Sequence, residues 1–235
     1  MVLRTYLNFF LKNYLRSHRY LREIILILIF NIFFSGFLYS DTTDDMIWTV
    51  FGVLALLLNM ITVPSLFYLE KGNSLYFSLI HQLGRRWFFI SKILLIVLID
   101  FFWLTLFSII YGLRFLDVQY FSILPIRLFL FLILMLLSIL ILSLSYSYRP
   151  WIAWFLLLLI VFGGILNKGA LFPLESVSQI YITFSFLLPP LLEIILGTAT
   201  LDFDIWRIMF ILIALIQIIL YFYLNIKLIM KKDFI

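Results

Sequence analysis

Apolar runs long enough to cross a bilayer, none of them alternating with period two, recur along the chain and leave little choice of fold. Lipid offers no water to bond exposed N–H and C=O groups, so a spanning segment must be an α-helix or a strand of a closed barrel. Barrel strands alternate lipid-facing and lumen-facing residues, and these runs, rich in Leu, Ile and Phe on every side, do not. The chain therefore reads as an all-α polytopic membrane protein. With 65% hydrophobic and 12% charged residues among 235, it has too little polar surface to cover a soluble globule.

Length and charge place the elements. Residues 1–21 suit an amphipathic helix in the membrane interface: Leu3, Tyr6, Leu7, Phe10, Leu11, Tyr14 and Leu15 recur at helical spacing, with Arg4, Asn8, Lys12 and Arg16 largely opposite. Six spans follow at 22–40, 46–68, 92–113, 126–146, 150–167 and 205–230. The stretch from Arg114 to Pro125 is expected as an outer loop. Pro150 falls in the first turn of the fifth span, where its missing N–H does no harm. A further apolar run at 177–197 is interrupted by Pro189 and Pro190.

Parity decides how to treat that run. If it does not cross, Arg4, Lys12, Arg16, Arg19, Arg22, Lys71, Arg85, Arg86, Lys92, Arg149, Lys227, Lys231 and Lys232 lie inside. Only Arg114, Arg127, Lys168 and Arg207 then lie outside or at the outer edge, the asymmetry that the positive-inside rule describes. The run is thus expected to be a re-entrant hairpin, two short helices joined at the prolines and packed against the bundle. Both termini are expected in the cytoplasm, with the protein in the plasma or inner membrane. The net charge of +5 follows from the same flanking residues, so membrane lipid rather than nucleic acid is the expected partner. The first apolar run is too long for a cleavable signal and no Ala-x-Ala site follows it.

Between the second and third spans lies a polar stretch, 70–86. On a helical wheel Leu75, Tyr76, Leu79, Ile80 and Leu83 share one side, Ser78, His81 and Gln82 the other, and Phe77 sits off the apolar stripe. Asn73 or Ser74 can cap its start and Gly84 can end it. Such a helix would lay its stripe on the bundle and turn Phe77, Ser78, His81 and Gln82 toward a cytoplasmic partner. An interfacial helix with no partner fits the same pattern. Arg85 and Arg86 suit anionic lipid.

Six spans, an interfacial N-terminal helix, a cytoplasmic helix after the second span and a broken hairpin before the sixth together resemble the permease subunits of ABC-2 type exporters. Glu70-Lys71-Gly72 matches the acid, base and glycine of that family, Arg85 and Arg86 stand near its basic position, and Ser91-Lys92 replaces its Gly-Lys. The family's proline is absent from the middle of this pattern, and Leu83-Gly84 stands nearby. Phe172-Pro173-Leu174-Glu175 is similar to the family's extracellular re-entrant region.

The resemblance implies a pair of permeases, expected as a homodimer, driven by two copies of a cytoplasmic ATPase that binds ATP and Mg. It implies an ATPase-coupling role for Glu70, Phe77, Ser78, His81, Gln82 and Arg85. It also implies that the first, second and fifth spans line the route, which makes Asn59, Thr62, Trp154, Phe155 and Phe162 candidate wall residues. The chain has no phosphate-binding loop ending in Gly-Lys-Ser/Thr, so neither enzyme activity nor a cofactor of its own is expected. Cysteine is absent, and His18 and His81 are too isolated to suggest a metal site.

Asp100 is the one acid read as deep in a span, about 12 Å past Lys92. An ionisable group at such depth is a functional candidate, and both hydrogen bonding and a direct transport role are open for it. A stand-alone secondary transporter or channel is the alternative function. Against it stands the reading of a single acid in the spans, without the usual ion-coupling site.

Overall fold

The computed structural model describes residues 2–39, 44–67, 82–114, 118–147, 155 and 189–231. All regular structure among them is helical: α1 (Val2–Arg16), α2 (Tyr20–Phe33), α3 (Ser35–Leu38), α4 (Asp44–Phe67), α5 (Gln82–Gly112), α6 (Val118–Ser147), α7 (Leu191–Thr200) and α8 (Ile205–Lys231). Four of them, α4, α5, α6 and α8, are long and apolar enough to cross a membrane. They correspond to the second, third, fourth and sixth expected spans. The fifth lies outside the described residues, Phe155 apart.

Two of these helices overrun their expected bounds. α5 starts at Gln82, so Gly84, expected to end a separate coupling helix, lies inside it. A helical glycine costs about 1 kcal/mol relative to alanine, which does not end a helix that tertiary packing holds. α6 starts at Val118, within the expected outer loop, and carries Pro125 in its interior. Tyr120 holds the turns ahead of that proline: its ring stacks on Trp48 and its hydroxyl donates to the Ser108 carbonyl at 2.8 Å.

α4 is the centre of the bundle. Phe51, Leu54, Leu58 and Val63 are fully buried, and α4 packs against α2, α5, α6 and α7. It runs antiparallel to α5, with Phe51 against Phe107 and Tyr111 near one end and Phe67 against Phe89 near the other. α8 packs on α6 and α5 and leaves Ile216, Ile219 and Tyr223 exposed on its outer face.

The first 38 residues climb the length of α5 in pieces. Tyr6 and Phe10 meet Phe88, Tyr14 lies with Ile99 and Trp103, Phe30 meets Phe107, and Arg114 donates to the Leu38 carbonyl at 2.9 Å. A helix lying flat across the interface would touch α5 at one level; α1 follows it instead. The packed stripe is correspondingly narrower than expected, with Phe10 and Tyr14 buried and Leu11 and Leu15 exposed. His18, at φ 52°, makes the left-handed turn between α1 and α2. The expected first span is thus two short helices, broken at Phe34, whose ring stacks on Phe30.

Arg85 donates to the Met230 carbonyl at 3.2 Å, so α8 ends beside the start of α5. Residues 177–188 of the expected hairpin lie outside the described residues. After Pro189-Pro190 comes α7, about 15 Å long and half the depth of the bundle. It wedges between α4 and α6, and a Cβ placed on Gly52 would stand 2.7 Å from Ile195 Cγ2. Ile195 is β-branched and cannot swing aside. Gly52→Leu is expected to destabilise the protein by about 1–3 kcal/mol through overpacking, measured as a lowered unfolding midpoint in detergent.

Candidate functional site: a buried carboxyl pair

Asp100 lies on α5, fully buried midway along the bundle. The structure adds a second acid that the sequence reading placed at a span's edge. Glu23, in the first turn of α2, is also 0% exposed, and its charge acts on Asp100. The bundle therefore buries two acids, Glu23 and Asp100, where the sequence reading placed only Asp100 at depth. The reason is the path of α1: because that helix already climbs part of α5, the start of α2 falls inside the bundle.

Thr62 of α4 stands between the two carboxyls. Its hydroxyl donates to Glu23 Oε1 at 3.5 Å and also faces Asp100. Tyr14 of α1, 3% exposed, brings its hydroxyl close to Glu23 and to the Trp103 indole without forming a hydrogen bond of normal geometry. Glu23 Oε2 and both oxygens of Asp100 are likewise buried without a hydrogen-bond partner among the described residues. The far side of Tyr14 and Trp103 opens on an apolar groove of about 500 Å³, walled by Leu11, Leu15, Tyr20 and Leu98. Neither Glu23 nor Tyr14 was legible as a site residue. Tyr14 sits on an ordinary apolar stripe, and Glu23 follows an arginine.

Asn59, one turn from Thr62, is a tie between helices: its amide donates to the Met135 carbonyl at 3.3 Å and to Ser138 Oγ of α6. Both it and Thr62 are completely buried. Asn59→Ala is expected to cost about 0.5–2 kcal/mol in reversible unfolding, the range found for hydrogen bonds between membrane helices. Phe155 is 61% exposed. Trp154 and Phe162 lie outside the described residues, as do Glu70, Phe77, Ser78 and His81. Gln82 and Arg85 belong to α5 rather than to a separate helix.

Two buried cations organise the ends. Lys92 is 2% exposed, and its Nζ stands 4.4, 5.3 and 5.5 Å from the ring centroids of Phe88, Phe67 and Phe10. It joins α1, α4 and α5 at the end where residues 68–81 connect the latter two. At the opposite end Arg127 lies 4.3 Å from the Trp48 ring and donates to the Ala199 carbonyl at 3.5 Å, holding the last turn of α7. Comparison of the chain with protein-family models, with curated proteins and with solved structures gave no match.

Proposed function

We propose that this chain is the transmembrane subunit of an ATP-driven exporter that moves an amphipathic or lipid-like substrate, powered by a separate ATPase. One observation carries the reading. The end of α4 and the start of α5, which in sequence flank Glu70, Phe77, Ser78 and His81, lie at the same end as the start of α1 and the end of α8, beside the ring-enclosed Lys92. Arg4, Lys12, Arg86 and Lys231 gather at that end, the side the positive-inside rule assigns to the cytoplasm. A partner pressing there would push on α1, α4 and α5 together, because Lys92 holds all three. The half-depth α7, whose last turn lies at the other end, supports a re-entrant element like that of ABC-2 type permeases.

The ATPase is the subunit that binds ATP and Mg; two copies, and a second permease, complete the transporter. Co-purification from native membranes of an ATPase carrying a phosphate-binding loop, with hydrolysis stimulated when the two are reconstituted, is the expected result. A chain that purifies without any such subunit, and transports without ATP, overturns the reading. That outcome would favour the stand-alone secondary transporter, for which the Glu23–Asp100 pair is the specific observation.

A further inference from the structure

Four polar atoms from three helices converge at the middle of the bundle without a hydrogen-bond partner among the described residues: the Tyr14 hydroxyl, Glu23 Oε2, and Asp100 Oδ1 and Oδ2. No arginine or lysine bonds either carboxyl among the described residues. The groups that face the pair are Tyr14 from α1, Arg22 beside Glu23 on α2, Thr62 from α4 and Trp103 from α5. Arg19 is engaged elsewhere, donating to the Ser65 carbonyl, and Lys92 is enclosed by phenyl rings about 12 Å along α5.

Two buried carboxylates on either side of Thr62, with apolar helices around them, repel each other and lack the hydration that charge requires. A proton shared between them removes one charge and supplies a donor to oxygens that have none. Thr62 can donate only one hydrogen, which goes to Glu23. The pair is sealed, but Tyr14 stands between it and the groove on the far side of α1 and α5.

We propose that Glu23 and Asp100 form an exchangeable proton-binding site, with the Tyr14 hydroxyl as its relay. In the loading step a hydronium ion gives its proton to the Tyr14 oxygen as that hydroxyl's own hydrogen passes to Glu23, leaving water, an unchanged phenol and one carboxylic acid in place of a carboxylate. The site needs no ATPase and stands whether or not the exporter reading holds.

The full chain in lipid nanodiscs is treated with dicyclohexylcarbodiimide, an apolar reagent that modifies protonated carboxyls, and the modified acids are identified by mass spectrometry. Glu23 or Asp100 should react about ten-fold or more faster than the exposed Asp45 and Asp202, with a rate that falls as pH rises. Asp100→Asn should shift the pH profile of Glu23, since the neighbouring carboxyl is gone. Should that variant not fold, Glu23→Gln read at Asp100 gives the same information. Tyr14→Phe should leave the extent of modification unchanged and slow deuterium exchange of the pair, followed by infrared spectroscopy, about ten-fold. Modification no faster than at Asp45 and Asp202, or a Glu23 profile unmoved by Asp100→Asn, overturns the proposal. Protection by sodium at constant pH also overturns it, assigning a metal cation in place of the proton.

Discussion

Trp48→Ala should lower the stability of the protein by about 3–5 kcal/mol, the range for removing a large buried aromatic. Trp48 is 2% exposed and touches more of the fold than its own volume suggests. Its ring packs edge-on against Phe51, stacks on Tyr120 at 5.3 Å and lies 6.2 Å from Phe131, joining α4 to α6. Arg127 rests on its face. Truncation leaves a cavity between α4 and α6 and strips the arginine of the ring that holds it against Ala199. Loss of packing between helices is not repaid by lipid, which is no more apolar than the neighbours lost. Reversible unfolding in mixed micelles measures the effect, and limited proteolysis near Thr200 reads the loosening of α7. Trp48→Phe, which keeps a ring under Arg127, should recover more than half of the loss.

The second large effect is expected in function rather than stability. Under the proposed exporter function, Phe77→Ala together with His81→Ala should abolish ATPase stimulation and ATP-driven transport, while the protein still folds and inserts. On the sequence wheel both residues lie off the stripe formed by Leu75, Leu79 and Leu83, so their loss removes partner contacts and leaves the apolar face intact. Paired measurement of ATP hydrolysis and substrate efflux in proteoliposomes tests it. Full coupling in the double variant would exclude residues 70–81 as the contact.

The expected spans differ from the helices for identifiable reasons. Pro125 marked the end of a loop because proline usually interrupts a helix, yet Tyr120, stacked on Trp48, carries α6 through it. Gly84 marked a stop on local conformational grounds, and α5 continues through it. Glu23 went unnoticed because its neighbour Arg22 suggested the membrane edge; only the climb of α1 along α5 brings Glu23 to Asp100. Asp100 and Thr62, by contrast, were both marked by polarity within apolar helices, though not as partners of each other.

The sequence by itself determined that the chain is helical, that the segments of α4, α5, α6 and α8 are long and apolar enough to span, and that Asp100 is an exception to be explained. Those conclusions rest on hydropathy and periodicity, which act within a single segment. Only the tertiary structure decided that α1 runs along α5, that α7 wedges at Gly52 and Ile195, and that Lys92 and Arg127 bind three helices each. The carboxyl pair belongs with these. Its members lie far apart in the chain, and they flank Thr62 only because α1, α2, α4 and α5 meet at one depth, a geometry that no local pattern encodes.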